Sequence, residues 1–199
     1  MKLYHHPGAC SLSSQIALRE AGRPFETEDV DLESKCTAGG DDFTAINPKG
    51  YVPALQLDSG ELLTETLAVL DYIATRYPAL APGGPLGRTR LLETLAYIST
   101  EIHKSFGPLA TGGMWPDKAN AAYAITYRMQ FLADTMQGDY LFGDRPSVAD
   151  FYLYVMLLWA ERFGVDVPAK LVALRRRLEV RPAVQAALEA DGRRMPEYS

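Results

Sequence analysis

The 199-residue sequence is poor in cysteine and histidine, with two cysteines and three histidines. Cys10 and Cys36 are too few for a disulfide framework or a zinc set, so a reducing cytoplasm is the compartment that suits them. The adjacent His5 and His6 would point to opposite faces of a strand and cannot share a metal ion, so no metal is expected. Basic charge is not in excess either. The chain carries 20 Lys and Arg against 25 Asp and Glu, a net charge of -5 with no basic stripe, which argues against a nucleic-acid partner. Arg175-Arg-Arg177 and Arg193-Arg194 are the two basic clusters, and both read as solvated helix faces. No apolar run approaches the ~20 residues that a membrane span requires. The most apolar stretch, Val148 to Trp159, contains Asp150 and reads as a buried core helix. The first residues, Lys2-Leu3-Tyr4, look like a strand and carry no apolar signal segment, so neither secretion nor a membrane is expected. Repeats and low-complexity segments are also missing. What remains, 47% hydrophobic and 23% charged, is the composition of a globular protein with one domain or two small ones.

The chain has two rhythms. Residues 1–77 alternate strand and helix signals. Lys2 to His5 and Phe25 to Leu32 read as strands around a helix from Ser11 to Ala21, which Gly22 ends. Val52 to Leu57 and Glu61 to Leu63 read as a hairpin turning at Asp58-Ser-Gly60. A helix follows with Leu67, Leu70, Ile73, Ala74 and Tyr77 on one face, and Pro78 stops it. This βαβ then ββα order predicts a mixed four-stranded sheet. Residues 78–87 hold three prolines and three glycines in Pro-Ala-Leu-Ala-Pro-Gly-Gly-Pro-Leu-Gly, the composition of a linker. Residues 88–199 then read as all helix. Leu91, Leu95, Ile98, Ile102, Phe106 and Leu109 form one stripe, and Ala121, Ala122, Ile125, Met129, Leu132 and Met136 another. A third helix starts at Ser147, whose Ser-Val-Ala-Asp150 is a capping-box pattern.

Cys10 is the residue with the most chemical content. It follows the first strand and a Pro7-Gly8 turn, where a helix begins. Backbone N–H groups and the macrodipole at a helix N-terminus favour thiolate over thiol. The next residues give Cys-x-x-Ser, so no second sulfur lies within a turn, and an attacked Cys10 would wait for an outside thiol. That points to a small thiol partner; the plainer reading is a buried structural cysteine.

A cysteine after the first strand, Val52-Pro53 opening the third, and Glu65-Thr66 opening the third helix together resemble the thioredoxin-like half of glutathione transferases. Gly8-Ala-Cys-Ser-Leu12, Glu101-Ile-His103-Lys104-Ser-Phe106 and the Ser147 box after Gly143-Asp-Arg-Pro146 resemble the bacterial beta class, over nearly the whole chain. The resemblance implies an N-terminal glutathione-binding domain, a C-terminal helical bundle, glutathione as co-substrate and a homodimer. Leu92, Ala96 and Tyr97 offer a second helix face for such a contact. It places Cys10 beside the glutathione sulfur, with His103 and Lys104 approaching from the helical half. Lys35 falls where the glycine carboxylate is held, Val52 with a cis Pro53 where the peptide backbone pairs, and Glu65 and Thr66 where the γ-glutamyl end binds. Phe106 and Trp159 fall on the walls of an electrophile pocket, over which Met114-Trp115-Pro116 would fold as a loop. Thr66 stands where serine is usual, His5 where tyrosine or phenylalanine is, and Ala96 where an asparagine often reaches across the dimer.

Three activities fit these residues. Conjugation of glutathione to small hydrophobic electrophiles requires Cys10 to hydrogen-bond the glutathione sulfur. Thiol-disulfide exchange requires it to bond covalently. A non-catalytic binder of hydrophobic compounds would use the cleft alone. Cys36, in a polar loop, reads as an exposed spare thiol.

Overall fold

The computed structural model describes residues 1–110 and 118–192. Strands β1 (Lys2–His5), β2 (Glu26–Asp29), β3 (Ala54–Gln56) and β4 (Leu62–Thr64) form one mixed sheet in the order β2-β1-β3-β4. β1 runs parallel to β2 and antiparallel to β3, which pairs antiparallel with β4. Leu3 and Leu55 are register partners at the centre and both are wholly buried. Period-two alternation sends their neighbours Tyr4 and Ala54 to the other face, where they meet Val30, Phe43 and Val52 in a small separate core.

Helix α1 (Leu12–Glu20) lies on the first face and α2 (Phe43–Ile46) is a single turn capped by Asp42, whose carboxylate accepts the Thr44 N–H at 2.8 Å. That turn is absent from the order inferred above because four residues carry no periodicity. The second strand is also shorter than Phe25 to Leu32, since Val30 makes only an isolated bridge, to Thr37. α3 (Thr66–Arg76) completes this half, and a short 3-10 turn at Pro78–Leu80 follows.

The helical half opens with α4 (Gly87–Tyr97), passes through a π-helical segment (Ile98–His103) and a 3-10 turn (Lys104–Phe106), and ends at α5 (Gly107–Ala110). One continuous stripe therefore spans four successive helical segments. α6 (Lys118–Thr135), α7 (Val148–Phe163), α8 (Ala169–Glu179) and α9 (Pro182–Ala190) follow. α7 is the axis of the molecule, with every residue from Val148 to Leu158 buried. The main core runs unbroken from Leu3 and Ile16 in the first half to Phe151, Leu174 and Leu188 in the second. α1 packs on both α7 and α9, and Arg181 at the start of α9 pairs with Glu20 at the end of α1.

The Ser147 box forms, and Asp150 does more than cap. Its carboxylate accepts the Ser147 N–H at 2.8 Å, the Ser147 hydroxyl at 2.7 Å and the Leu141 N–H at 2.8 Å. Burial pushes this carboxyl up to about 6 against the pull of those donors. The basic cluster needs a correction. Arg175 is not a solvated face: it is largely buried, held by Glu161 at 2.7 Å and by the buried Glu179 at 2.8 Å, because α8 turns it inward. Met114-Trp115-Pro116 and Arg193-Arg194 lie outside the described residues. No described helix is long and apolar enough to cross a membrane.

Candidate active site

Three elements converge on Cys10. The turn between β1 and α1 carries it, the Val52-Pro53 peptide, which is cis, lies beside it, and the first residue of α3 closes over it. The Cys10 thiol donates to the Val52 carbonyl at 3.7 Å and accepts the Thr66 hydroxyl at 3.4 Å. The expectation of a thiolate is overturned. Cys10 is only 8% exposed, and burial raises its pKa more than the nearby Thr66 hydroxyl and the backbone N–H groups of Cys10 and Ser11 lower it. Near neutral pH the residue is a thiol with a proton to donate.

Glu65 stands at the mouth of this turn with a φ of 73°, a positive value that costs an L-residue energy and collects at functional sites. Its Oε1 accepts both the Lys49 ammonium and the Tyr51 hydroxyl, the latter at 2.7 Å. Those two donors hold its carboxyl below the usual range, with Lys104 adding to the effect. Lys104 thus stands near enough to act on Glu65 from the helical half. Lys35, also at positive φ, reaches the Gly50 carbonyl at 2.9 Å, on the loop leading to Val52.

From the other side comes His103, at the end of the π-helical segment. Its Nδ1 lies 2.7 Å from the Tyr152 hydroxyl, and its ring meets Trp159 edge-on with centroids 4.9 Å apart. Burial, helped by Lys104, lowers its pKa to about 4, so His103 is neutral at physiological pH and brings no positive charge. Its unfolded pKa is near 6.5, so acid favours the unfolded chain as pH falls from 6.5 towards 4. We expect the stability of the wild type over His103→Asn to shrink by about 2 kcal/mol between pH 7 and about 4.5 in urea titrations. A constant difference would place His103 in solvent.

Trp159 and Phe106 sit together, ring centroids 5.6 Å apart at near-right angles. Phe106 has no exposed surface, so it backs Trp159 rather than lining an open wall. The sequence does not single out Tyr152. Wholly buried on α7, its hydroxyl is within hydrogen-bonding influence of Thr66, the partner of the Cys10 thiol, and of Ser99. It therefore ties His103 to the Cys10–Thr66 pair. Its place inside the apolar run of α7 carries no sequence signal, since a tyrosine in an apolar helix reads as core. Lys49 and Tyr51 are silent in the sequence as well, lying in a polar loop with no periodicity. Cys36 is exposed, its thiol donating to the Ser34 carbonyl at 3.6 Å. His5 is buried against Asp29 at 2.9 Å, and His6 Nδ1 lies 2.8 Å from the Val30 carbonyl.

Comparison with known proteins matches residues 1–75 to the glutathione S-transferase N-terminal domain and residues 68–190 to the C-terminal domain. A glutathione S-transferase of Escherichia coli O157:H7 is 40% identical, covering 96% of this chain and 99% of its own. A bacterial glutathione S-transferase solved as a ternary complex superposes with a TM-score of 0.91 at 45% identity, over 96% of this chain and 100% of that one. A sphingomonad enzyme complexed with glutathione gives 0.89 at 48%, over 96% and 99%. Two domain matches and relatives spanning the full fold agree with the motif order around Cys10, and the chain belongs to the glutathione S-transferase family.

Proposed function

We propose that this protein conjugates glutathione to small hydrophobic electrophiles, with residues 1–77 holding glutathione, residues 78–87 linking, and residues 88–199 covering the electrophile. The observation that carries the reading is the convergence of Cys10, Thr66, Tyr152 and His103 from both halves on one point. Glu65 binds the γ-glutamyl ammonium and Thr66 its carboxylate. Val52 pairs with the peptide, Pro53 shapes that approach, and Lys35 takes the glycine carboxylate. Lys104 adds positive charge at the mouth.

The glutathione thiolate is the nucleophile. It attacks the electrophilic carbon, a new C–S bond forms, and the leaving group departs with the bonding pair. The protein lowers the thiol pKa and aligns the two reactants. Cys10 suits the first task as a donor. A buried neutral thiol gives its hydrogen bond to the glutathione thiolate and is a poor nucleophile itself. In this reading the Tyr152 hydroxyl donates to His103 Nδ1, which leaves the imidazole N–H on Nε2 as a second neutral donor. Trp159, backed by Phe106, supplies the apolar surface.

Aryl-halide turnover with glutathione tests the reading. Cys10→Ala should keep conjugation within about tenfold, since one hydrogen bond to a charged sulfur is worth about 1.5 kcal/mol. Loss of all turnover, together with a stable glutathione adduct on wild-type Cys10 that supports disulfide reduction, would favour the exchange activity instead. Glutathione and ligand binding without any turnover would leave a binder.

We further propose a homodimer, which a reducing cytoplasm would suit. Tyr123, Tyr127 and Phe131 recur every fourth residue along the outer face of α6 and are more than half exposed. Phe131 meets Tyr97 at a tilt, ring centroids 5.1 Å apart, beside a cavity of about 720 Å³ that Ala96 also lines. An aromatic stripe of this kind continuing the Tyr97 face is what a second copy would cover. Sedimentation at micromolar concentration should give a dimer, and Tyr127→Glu with Phe131→Glu should give a monomer. A monomeric wild type removes the second copy.

A further inference from the structure

We propose that Asp191 is a positioning residue for the reaction, holding with Trp159 the turn that carries Cys10; this rests on the conjugation reading above. Gly8 is the residue through which the hold acts. Its N–H donates to Asp191 Oδ2 at 2.9 Å, and its carbonyl accepts the Trp159 indole N–H at 2.9 Å. Both partners belong to the helical half, 183 and 151 residues away in sequence. Gly8 has a φ of 79°, a conformation that glycine adopts without strain, so both its peptide groups face outward from the turn to meet them.

The hold is well built. Asp191 is 4% exposed at the end of α9, so its bond to Gly8 is made out of water. The same Trp159 ring abuts His103 at 4.9 Å. Asp191 and Trp159 therefore fix Cys10 by its backbone, while Trp159 also fixes His103 by its ring, and the two donors keep their spacing. Glu65 and Lys35 bond to Lys49, Tyr51 and Gly50 rather than to this turn, and Thr66 and Val52 meet it through the Cys10 sulfur alone. Releasing Gly8 should thus leave glutathione affinity and disturb the sulfur alone, where a misplacement of about 1 Å is worth as much as about 10²-fold in rate.

Asp191→Ala should lower kcat at least about tenfold, with KM for glutathione changed less than about threefold. Asp191→Asn keeps an acceptor for the Gly8 N–H and should restore most of kcat. Trp159→Phe keeps the ring but loses the donor. It should show the same kcat loss, and the double variant should be no worse than about the larger single one, because both act on one residue. A purely structural Asp191 would move Tm and leave kcat within about twofold in the folded fraction, which overturns the proposal, as does an Asn variant as slow as Ala. If Asp191→Ala does not fold, Trp159→Phe decides through the rate at which Cys10 forms its adduct with oxidised glutathione, a readout that does not use the electrophile surface: a slower adduct supports the hold and an unchanged rate overturns it. A wild type without turnover refutes conjugation rather than the hold. The hold is then read from oxidised glutathione, where Cys10 gives up its proton, its sulfur attacks one disulfide sulfur, the S–S bond breaks, and the released glutathione thiolate takes up a proton. The rate of that adduct, followed by mass spectrometry, should change in Asp191→Ala and not in Asp191→Asn; equal rates in all three reject it.

Discussion

Asp150→Ala is expected to lower Tm by about 10 °C. The substitution strips the acceptor from two backbone N–H groups and one hydroxyl, all close to the buried carboxylate at 2.7 to 2.8 Å. An unsatisfied buried donor costs about 1–3 kcal/mol, so the three together reach about 4 kcal/mol. In a domain of this size each kcal/mol moves Tm by about 2–4 °C. Asn at this position can still accept from Leu141 but must turn its amide towards the Ser147 donors, so Asp150→Asn should fall between. Calorimetry on the three proteins checks the order. A fall under about 3 °C for Asp150→Ala would mean that water replaces the carboxylate, and that the loop at Leu141 is open to solvent.

Glu65 carries the other large effect, on binding rather than folding. Removing its carboxylate deprives the proposed γ-glutamyl ammonium of its charged acceptor, worth about 1.5–3 kcal/mol, so KM for glutathione should rise roughly 10- to 100-fold. Glu65→Ala and Glu65→Gly should do this equally. They differ in stability, since the φ of 73° strains any side chain and glycine removes that strain, by about 1 kcal/mol or more. The glycine variant should thus be the more stable and just as poor at taking up glutathione. A KM that stays within about twofold in both variants would move the ammonium site elsewhere and leave Glu65 as the anchor of Lys49 and Tyr51.

Much of the fold is legible in the sequence because it rests on long periodic signals. α7 reads as a buried helix from its composition, and the Ser147 box marks its start to the residue. Cys10 stands in the sequence at a turn whose local chemistry is unusual, whereas Val52, Thr66 and His103 are picked out by the resemblance to glutathione transferases. What is illegible is of a different kind. Ile98, Ile102 and Phe106 repeat every fourth residue, a spacing that α- and π-helical turns accommodate alike, so the widened turn that delivers His103 leaves no trace in the pattern. The state of the Cys10 thiol is set by a contest between the end of a helix and the loss of water, and only the second depends on what packs over it. Tyr152, Arg175 and Phe106 elude the sequence for the same reason: periodicity places a residue on a face and does not say what faces it.

The packing of α1 against α9 has a consequence for synthesis. A chain emerging from the ribosome completes the sheet and α3 long before residues 182–190 appear, yet α1 is covered in part by the helix they form and the Cys10 turn is tied to Asp191 beyond it. Until α7 and then α9 have been made, the nascent N-terminal half presents an apolar helix face that is only partly covered, a surface on which chaperones and misassembly compete. A protein shortened before α9 would be born with its first half complete in sequence and unfinished in structure.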